Sequence, residues 1–275
     1  MHPKFRDRGE MKMSKGSLTC VGLGMTLGAH LAPRARRTIE TADVVFVHAS
    51  DGIVEQWVGR MHADVRSLQP HYAAGPTRRD AYRGMIDAML AEVCAGRTVC
   101  AAFYGHPGVF AEVPHRAIAQ ARAAGYPTHM EPAVSAADCL YADVGFDPGA
   151  SGCQHYEATQ FLIGARRIDT AAWLVLWQPA VVGDLGLARR STTAAHRALL
   201  AEVLARDYPA THPLIVYRAA TLPFMTPLIR HHTLAEIPAI DFDLADTLAL
   251  PPAAKPVRDP AILQRLAAIE AASSP

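Results

Sequence analysis

The chain has 275 residues, 50% of them hydrophobic, and a formal net charge of +1. That is enough apolar material for one or two ordinary cores, without the charge excess that recruits a polyanion, so nucleic acid is not the default partner. No run approaches the roughly 18 uninterrupted apolar residues of a membrane span, and the opening MHPKFRDRGEMKMSKG lacks the apolar stretch of a signal peptide, which points to a cytoplasmic protein with no membrane partner. Cys20, Cys94, Cys100, Cys139 and Cys153 form no CxxC pair, and their odd number fits reduced thiols. The histidines include no HExxH. The adjacent His231 and His232 fall in a polar stretch read as loop, where neighbouring side chains diverge, so no metal site is expected.

In chain order, residues 1–15 read as a flexible tail and SLTCVGLG (17–24) as a buried strand running into a glycine turn. APRARRTIETA follows as a helix and DVVFVHA (43–49) as a second strand. A helix over 78–95 closes at Gly96, a strand spans 98–103, and a helix over about 114–124 closes at Gly125 before the short extended PTHMEP. Strand and helix alternate, which favours parallel βαβ units. Beyond the Gly- and Pro-rich GFDPGASG (145–152), the pattern resumes with strands at 172–178, 213–220 and 246–251 and a helix near 192–206. The expected organisation is an α/β protein with an N-terminal domain over 16–131, a C-terminal domain over 132–256, and a tail over 257–275 carrying the short helix PAILQRLAAIEAA.

Ligands of open α/β sheets bind beyond the carboxyl ends of strands, where glycine lets backbone approach closely and helix N-termini offer free N–H groups. Three loops qualify: GLGMTLG (22–28), with Gly22 and Gly24; YGHPGVF (104–110); and EPAVSAADC (131–139), where Ser135 can cap a helix with Asp138 three residues on. The first does not match GxGxxG. FVHASDG offers an acidic residue, Asp51, only beyond the second strand, which argues against a nicotinamide site.

The order of GxG after the first strand, FYGHPGVF, EPAVSAADCLYADVGFDP, LWQ and VYRAATLP resembles the S-adenosylmethionine-dependent tetrapyrrole methylase superfamily over about residues 16–255. Within it, FYGHPGVF and SAADCLYADVGFDPG look most like the borosin peptide backbone α-N-methyltransferases of the omphalotin methyltransferase type. Porphyrinoid enzymes of the superfamily usually carry an acidic GDP where this chain has Gly105, His106 and Pro107, a departure that argues against a corrinoid substrate. The resemblance implies a two-domain fold with S-adenosylmethionine in the interdomain cleft. It implies cofactor contacts from the glycine turn at Gly22 and Gly24, from Tyr104, His106, Val109 and Phe110, from Ser135 and Ala136, and from Gln178, Tyr217 and Ala219. The residue types agree: small residues let backbone hold the adenosine and methionine parts, and aromatic rings can face a sulfonium cation. Gln178 is equally readable as a strand-end residue satisfied by backbone.

The methyl donor is already electrophilic, so the difficulty lies in the nucleophile. A backbone amide nitrogen has its lone pair in C–N resonance and must lose its proton, pushing charge onto the carbonyl oxygen. HYAAGPTRRDAYRGM (71–85) offers groups suited to that chemistry. Thr77 is a plausible N-cap with Asp80 following, which puts Arg78 and Tyr82 on one helix face, and Tyr72 sits in the preceding loop. The trio matches the borosin catalytic set in order and spacing, with Tyr104 as a fourth member. By that resemblance Tyr72 is the base, with Arg78 lowering its ordinary pKa of about 10, Arg78 and Tyr82 bind the amide oxygen, and Tyr104 positions the nitrogen and the donor methyl. On the residues alone, Tyr82 is also in step with Met85, Ile86 and Met89, a stripe that ordinarily means core, and Arg78 is readable as a solvated helix-start residue.

Fungal borosin methyltransferases carry their substrate at their own C-terminus, whereas this chain ends about twenty residues past LALPPAAKP, and VRDPAILQRLAAIEAASSP shows no long apolar core peptide. The expectation is a split system, with a separate ribosomally made precursor peptide methylated in trans by a homodimer. Two alternatives stand beside it: a tetrapyrrole or small-molecule methyltransferase on the same fold, and a catalytically silent member that binds S-adenosylmethionine and peptide.

Overall fold

The computed structural model describes residues 16–49, 51–74, 77–186 and 191–273. The expected tail over 1–15 lies outside them. The first stretch of chain alternates β1 (Ser17–Gly22), α1 (Pro33–Thr41), β2 (Val44–His48), α2 (Gly52–Gly59), β3 (Val65–Ser67), α3 (His71–Ala74), α4 (Arg78–Cys94), β4 (Thr98–Phe103), α5 (Glu112–Ala123), β5 (Thr128–Glu131) and α6 (Ala136–Val144). Then come α7 (Pro148–Ser151), β6 (Cys153–Glu157), α8 (Ala158–Ile163), β7 (Trp173–Trp177), α9 (Ala194–Leu204), β8 (Pro213–Arg218), β9 (Leu228–Thr233), β10 (Thr247–Leu250) and α10 (Pro260–Ser273), with 3-10 turns at Pro179–Val181 and Leu234–Ala239. The chain groups into two compact units: one runs through Leu140 and takes in Ala219–Pro227, and the other starts at Tyr141.

The first unit is built on a sheet in the order β3-β2-β4-β1-β5, every pairing parallel. Alternate residues of its strands feed two cores. Leu18, Cys20, Phe46, Ala101 and Phe103 pack with α4 and α5 through Met85, Met89 and Ala117, while Val21, Val45, Val47 and Cys100 pack with α1 and α2 through Ile39 and Val58. Both faces are therefore covered, which explains why these strands read as near-continuous apolar runs. Helix α4 starts where the sequence says it should: the Thr77 side chain accepts from the Asp80 N–H, and its hydroxyl donates to the Asp80 carboxylate at 2.6 Å. The chain turns after α4 at Gly96, φ +87°.

The second unit carries a five-stranded sheet in the order β6-β7-β10-β8-β9, and here the expected parallel pattern gives way. Only β6 and β7 pair in parallel; β10 runs antiparallel to both β7 and β8, and β9 antiparallel to β8. The β8–β9 connection is short, so the strand returns beside its predecessor with no crossover helix to enforce parallel pairing. One face packs on α8 and α9 through Leu174, Leu176, Leu214, Val216, Leu248, Phe161 and Leu200. His231 and His232 lie in strand β9 and not in a loop. Their side chains still diverge, because successive strand residues point to opposite faces. The helix expected near the C-terminus forms as α10, with Ile262, Leu263, Leu266 and Ile269 all exposed. No described helix is long and apolar enough to cross a membrane.

Candidate active site

At the carboxyl ends of β1, β4 and β5 the three glycine and serine loops meet. Gly24 and Gly105 form an isolated antiparallel bridge, with N–H···O distances of 3.2 and 2.9 Å. Gly22 is packed so tightly that a Cβ there would stand 2.4 Å from the Ala133 Cβ, 2.5 Å from the Gly105 oxygen and 2.8 Å from the Pro107 Cδ. Glycine at this position is what lets the first, second and third loops close on one another. The first loop is also held by the returning segment: Thr26 Oγ1 donates to the Ala220 oxygen at 3.1 Å and the Leu27 N–H to the Thr221 oxygen at 2.9 Å, which places Ala219, itself buried, beside it in the chain.

Within 104–110, His106 Nδ1 accepts from the Gly108 N–H at 2.9 Å and its carbonyl from the Val109 N–H at 3.2 Å, so the loop is wound on its own backbone. Tyr104, Val109 and Phe110 are 45%, 37% and 48% exposed, although the Tyr104 ring also packs on His48 at a centroid distance of 5.5 Å. Phe110 has φ +49°, a left-handed conformation that a bulky residue adopts at a cost of roughly 1–3 kcal/mol. Ser135 is buried and caps α6: its N–H and hydroxyl both reach the Asp138 carboxylate at 2.7 Å, and it accepts from the Asp138 N–H at 3.3 Å. Ala136 is the first residue of that helix.

Gln178 and Tyr217 belong to the second unit. Gln178 follows β7 with φ +57°, again left-handed, and its carbonyl accepts from the Val181 N–H at 3.1 Å. Tyr217, on β8, is fully buried and donates its hydroxyl to Asp143 at 2.7 Å, so that hydroxyl is engaged inside the fold. Trp177 and Tyr217 flank Thr247 of the central strand β10. Of three non-glycine residues with positive φ among the described residues, Phe110 and Gln178 are both positions singled out in the sequence.

Tyr72 and Tyr104 meet at a residue that sequence reasoning passed over. His48 is the last residue of β2, and its Nε2 lies 3.2 Å from the Tyr72 hydroxyl. Its ring contacts Tyr72 at a centroid distance of 5.7 Å, Tyr104 at 5.5 Å and Phe103 at 6.1 Å. Tyr72 meets Tyr82 edge to face at 6.3 Å. Parallel register puts His48 opposite Phe103, and the His48 carbonyl accepts from the Tyr104 N–H at 3.0 Å, so neighbouring strands β2 and β4 deliver histidine and tyrosine to one place. Tyr72 stands in the short helix α3 and not in a loop, and α3 packs on α4, where His71 Nδ1 would lie 2.7 Å from a Cβ at Gly84. Tyr82 sits at the rim of the Met85, Ile86 and Met89 stripe, with Tyr72 packed against the same core.

Electrostatics corrects one expectation. Burial pushes the Tyr72 phenol well above its ordinary value, Tyr82 and Tyr104 push it further, and the downward pull of Arg78 does not offset them. Tyr104 is raised as well, by desolvation first and by Tyr82 second. Burial lowers His48 to about 4, so its imidazole is uncharged at neutral pH. The signal that could have found His48 was present: a histidine at the carboxyl end of a strand, where the same rule had selected the three loops.

A family model for tetrapyrrole (corrin/porphyrin) methylases matches residues 17–238, and the chain belongs to that family. Its curated relatives include the methyltransferase and type I borosin cyclic peptide precursor of Coprinopsis marcescibilis, 38% identical over 224 residues, or 81% of this chain and 57% of that protein. The methyltransferase and omphalotin A precursor of Omphalotus olearius is 36% identical over 267 residues, covering 94% of this chain and 63% of the relative. This chain therefore spans less than two thirds of the length of either. Among solved structures, uroporphyrin-III-C-methyltransferase from Thermus thermophilus shares the fold at a TM-score of 0.59 and 20% identity, over 86% of this chain and 93% of that one. A conserved hypothetical protein from Aeropyrum pernix K1 does so at 0.64 and 17%, over 87% and 85%.

Proposed function

We propose that the protein is an S-adenosylmethionine-dependent methyltransferase that methylates backbone amide nitrogens of a ribosomally made precursor peptide supplied as a separate chain. The observation that carries this reading is the packing of Tyr72 and Tyr104 on His48, with Tyr82 against Tyr72 and Arg78 close enough to act on the Tyr72 phenol. Such a set suits a nucleophile that must lose a proton from nitrogen while charge builds on oxygen: a phenol to handle the proton, and a guanidinium and a second phenol to hold the oxyanion. Similarity to borosin methyltransferase–precursor proteins supports the same substrate class, although those relatives join both functions in one polypeptide.

The loops at the ends of β1, β4 and β5 fit the methyl donor. Gly22, Gly24 and Gly105 bring backbone within contact of backbone, and the exposed rings of Tyr104 and Phe110 offer π faces suited to a cation. When bound, the donor supplies an electrophilic methyl group on sulfonium. In this reading the His106 loop, Ser135, Ala136 and Ala219 hold it. Tyr104 orients the reacting nitrogen, and Arg78 and Tyr82 bind the amide oxygen. The protein works as a homodimer.

The test is incubation of the purified protein with donor and a candidate precursor peptide, read by tandem mass spectrometry and amide NMR. Backbone methylation puts each added methylene on an amide linkage and removes an N–H signal. Methyl groups found only on side chains, on a terminus or on a porphyrinoid would overturn the reading. Methylation confined to the protein's own residues would overturn the separate-chain arrangement.

A further inference from the structure

We infer that His48 is the terminal proton acceptor of this site, taking through its Nε2 the hydroxyl proton of Tyr72 as Tyr72 takes the proton of the substrate amide. The inference rests on the backbone-methylation reading and adds to it a residue that works behind Tyr72, a positioning residue in that it acts through another side chain.

The geometry is specific. Nε2 of His48 is 3.2 Å from the Tyr72 hydroxyl, and the imidazole is wedged among Tyr72, Tyr104 and Phe103 so that its ring is held on several sides. Its backbone is pinned by the Tyr104 N–H at 3.0 Å and by the β2–β4 register. The ionisable groups that act on Tyr72 are Tyr82 and Arg78 from α4 and Tyr104 from the loop after β4, with His48 arriving from β2. Arginine has no lone pair to give, and a phenol oxygen is a far weaker base than an imidazole nitrogen. Of these four, the His48 imidazole is the strongest base within hydrogen-bond reach of the Tyr72 hydroxyl.

Physical need points the same way. Desolvation holds the Tyr72 proton more tightly than an ordinary phenol does, so a standing phenolate is costly at neutral pH. A neutral phenol can still accept a proton if it passes its own onward in the same event. The step then balances: the amide N–H bond breaks as its proton goes to Tyr72 Oη, and the Tyr72 O–H bond breaks as that proton goes to His48 Nε2. The nitrogen lone pair forms the new N–CH3 bond, and the S–CH3 pair leaves with the sulfur, which departs as a neutral thioether. The Nε2 proton is afterwards lost to solvent. Burial makes His48 a weak base, so it takes the proton only in concert with formation of the N–CH3 bond, and its imidazolium then releases the proton readily, which resets the site.

The experiment has two arms. In the first, 15N NMR of the ligand-free protein labelled at histidine is expected to show His48 in the Nδ1–H tautomer, with an unprotonated Nε2 whose signal moves in Tyr72→Phe. A protonated Nε2 at neutral pH would overturn the inference without any reference to turnover. In the second, kcat for backbone methylation is measured against pH for wild type, His48→Gln and His48→Phe. Glutamine can accept the Tyr72 hydrogen bond but cannot keep a proton, so His48→Gln should retain fold and donor affinity and lose about 10²–10⁴ in kcat with little change in KM. Between about pH 7 and 10 its log kcat should climb with pH, because only Tyr72 phenolate can then serve, while wild type stays flat. A His48→Gln enzyme with wild-type kcat, or one slowed equally at every pH, overturns the relay and leaves backbone methylation standing. A wild-type enzyme that methylates no backbone amide removes both.

Discussion

Gly22→Ala tests whether the three loops act as one cradle. The added Cβ would sit 2.4 Å from the Ala133 Cβ, 2.5 Å from the Gly105 oxygen and 2.8 Å from the Pro107 Cδ, against an ordinary contact of 3.4–4 Å. Relief therefore needs a shift of about 1 Å (3.4 minus 2.4). None of the three obstacles is the end of a flexible side chain; they are a backbone oxygen, a ring and a Cβ, so loops 104–110 and 131–139 must move as backbone. Overpacking of that kind costs typically 1–3 kcal/mol. In a protein of this size it should lower Tm by roughly 2–4 °C for each kcal/mol. Displacement of about 1 Å in a positioning loop should weaken donor binding or turnover on the order of 10²-fold. Thermal unfolding and isothermal calorimetry with S-adenosylmethionine and with its demethylated product read the two effects separately. Gly59→Ala is the control, since nothing lies within 4 Å of a Cβ there. A Gly22→Ala protein with the Tm and donor affinity of wild type would show that the loops are not packed as described and that Gly22 has no part in the cradle.

Tyr82→Phe should keep the fold and donor affinity, because the ring stays against the Met85 and Ile86 core, while kcat falls about 10²–10³-fold for loss of one oxyanion donor; unchanged kcat in single-turnover assays would return Tyr82 to a packing role. On the acid side, His48 binds its proton at about 4 in the fold against an ordinary 6.5, so the folded chain holds fewer protons than the unfolded one in that interval. Stability should therefore fall as pH drops from about 6.5 towards 4, by roughly 3 kcal/mol at most, with lowered His155 acting in the same direction. Urea unfolding of His48→Gln should show a shallower slope across that window, and an identical slope would refute the assignment. On the alkaline side, Tyr72 keeps its proton longer folded than unfolded, so stability should decline above about pH 10, and Tyr72→Phe should remove part of that decline. Asp246→Ala should destabilise the second unit by about 2–4 kcal/mol: the carboxylate is fully buried, accepting from Arg218 Nε at 2.8 Å and the Asp243 N–H at 2.9 Å, and the discount from a fully buried pair reflects the partial exposure of Arg218 and Arg230. Denaturant titration showing a loss under 1 kcal/mol would refute that figure.

Much of the first unit could be read directly. Strand β4 begins and ends at the residues that its apolar run marks, and α4 starts at its threonine cap, because apolar periodicity, caps and glycine stops are local properties of the chain. The glycine loops were also legible, since the requirement for close backbone approach is written into residue type. What the sequence could not supply was sheet order and pairing in the second unit. β6 and β9 are short strands of half-buried residues, CQHYE and LIRHHT, whose composition looks like loop, and they become strands only because β7 and β8 offer them partners.

The site divides in the same way. Resemblance to the borosin enzymes gave Tyr72, Arg78, Tyr82 and Tyr104 as a set, but a resemblance in sequence could say nothing of the environment that fixes their protonation. Tyr72 is raised where a neighbouring arginine had suggested it would fall, because desolvation by the packed helices and strands outweighs one charge. His48 is 24 residues from Tyr72 in sequence and joins it only because β2 is paired with β4 and α3 folds back over their ends. Residue types and local caps thus determined which groups this protein carries and where its elements start. Proximity and burial, which set how those groups titrate and which of them can exchange a proton, belong to tertiary structure, because strand adjacency is a long-range pairing that no local pattern encodes.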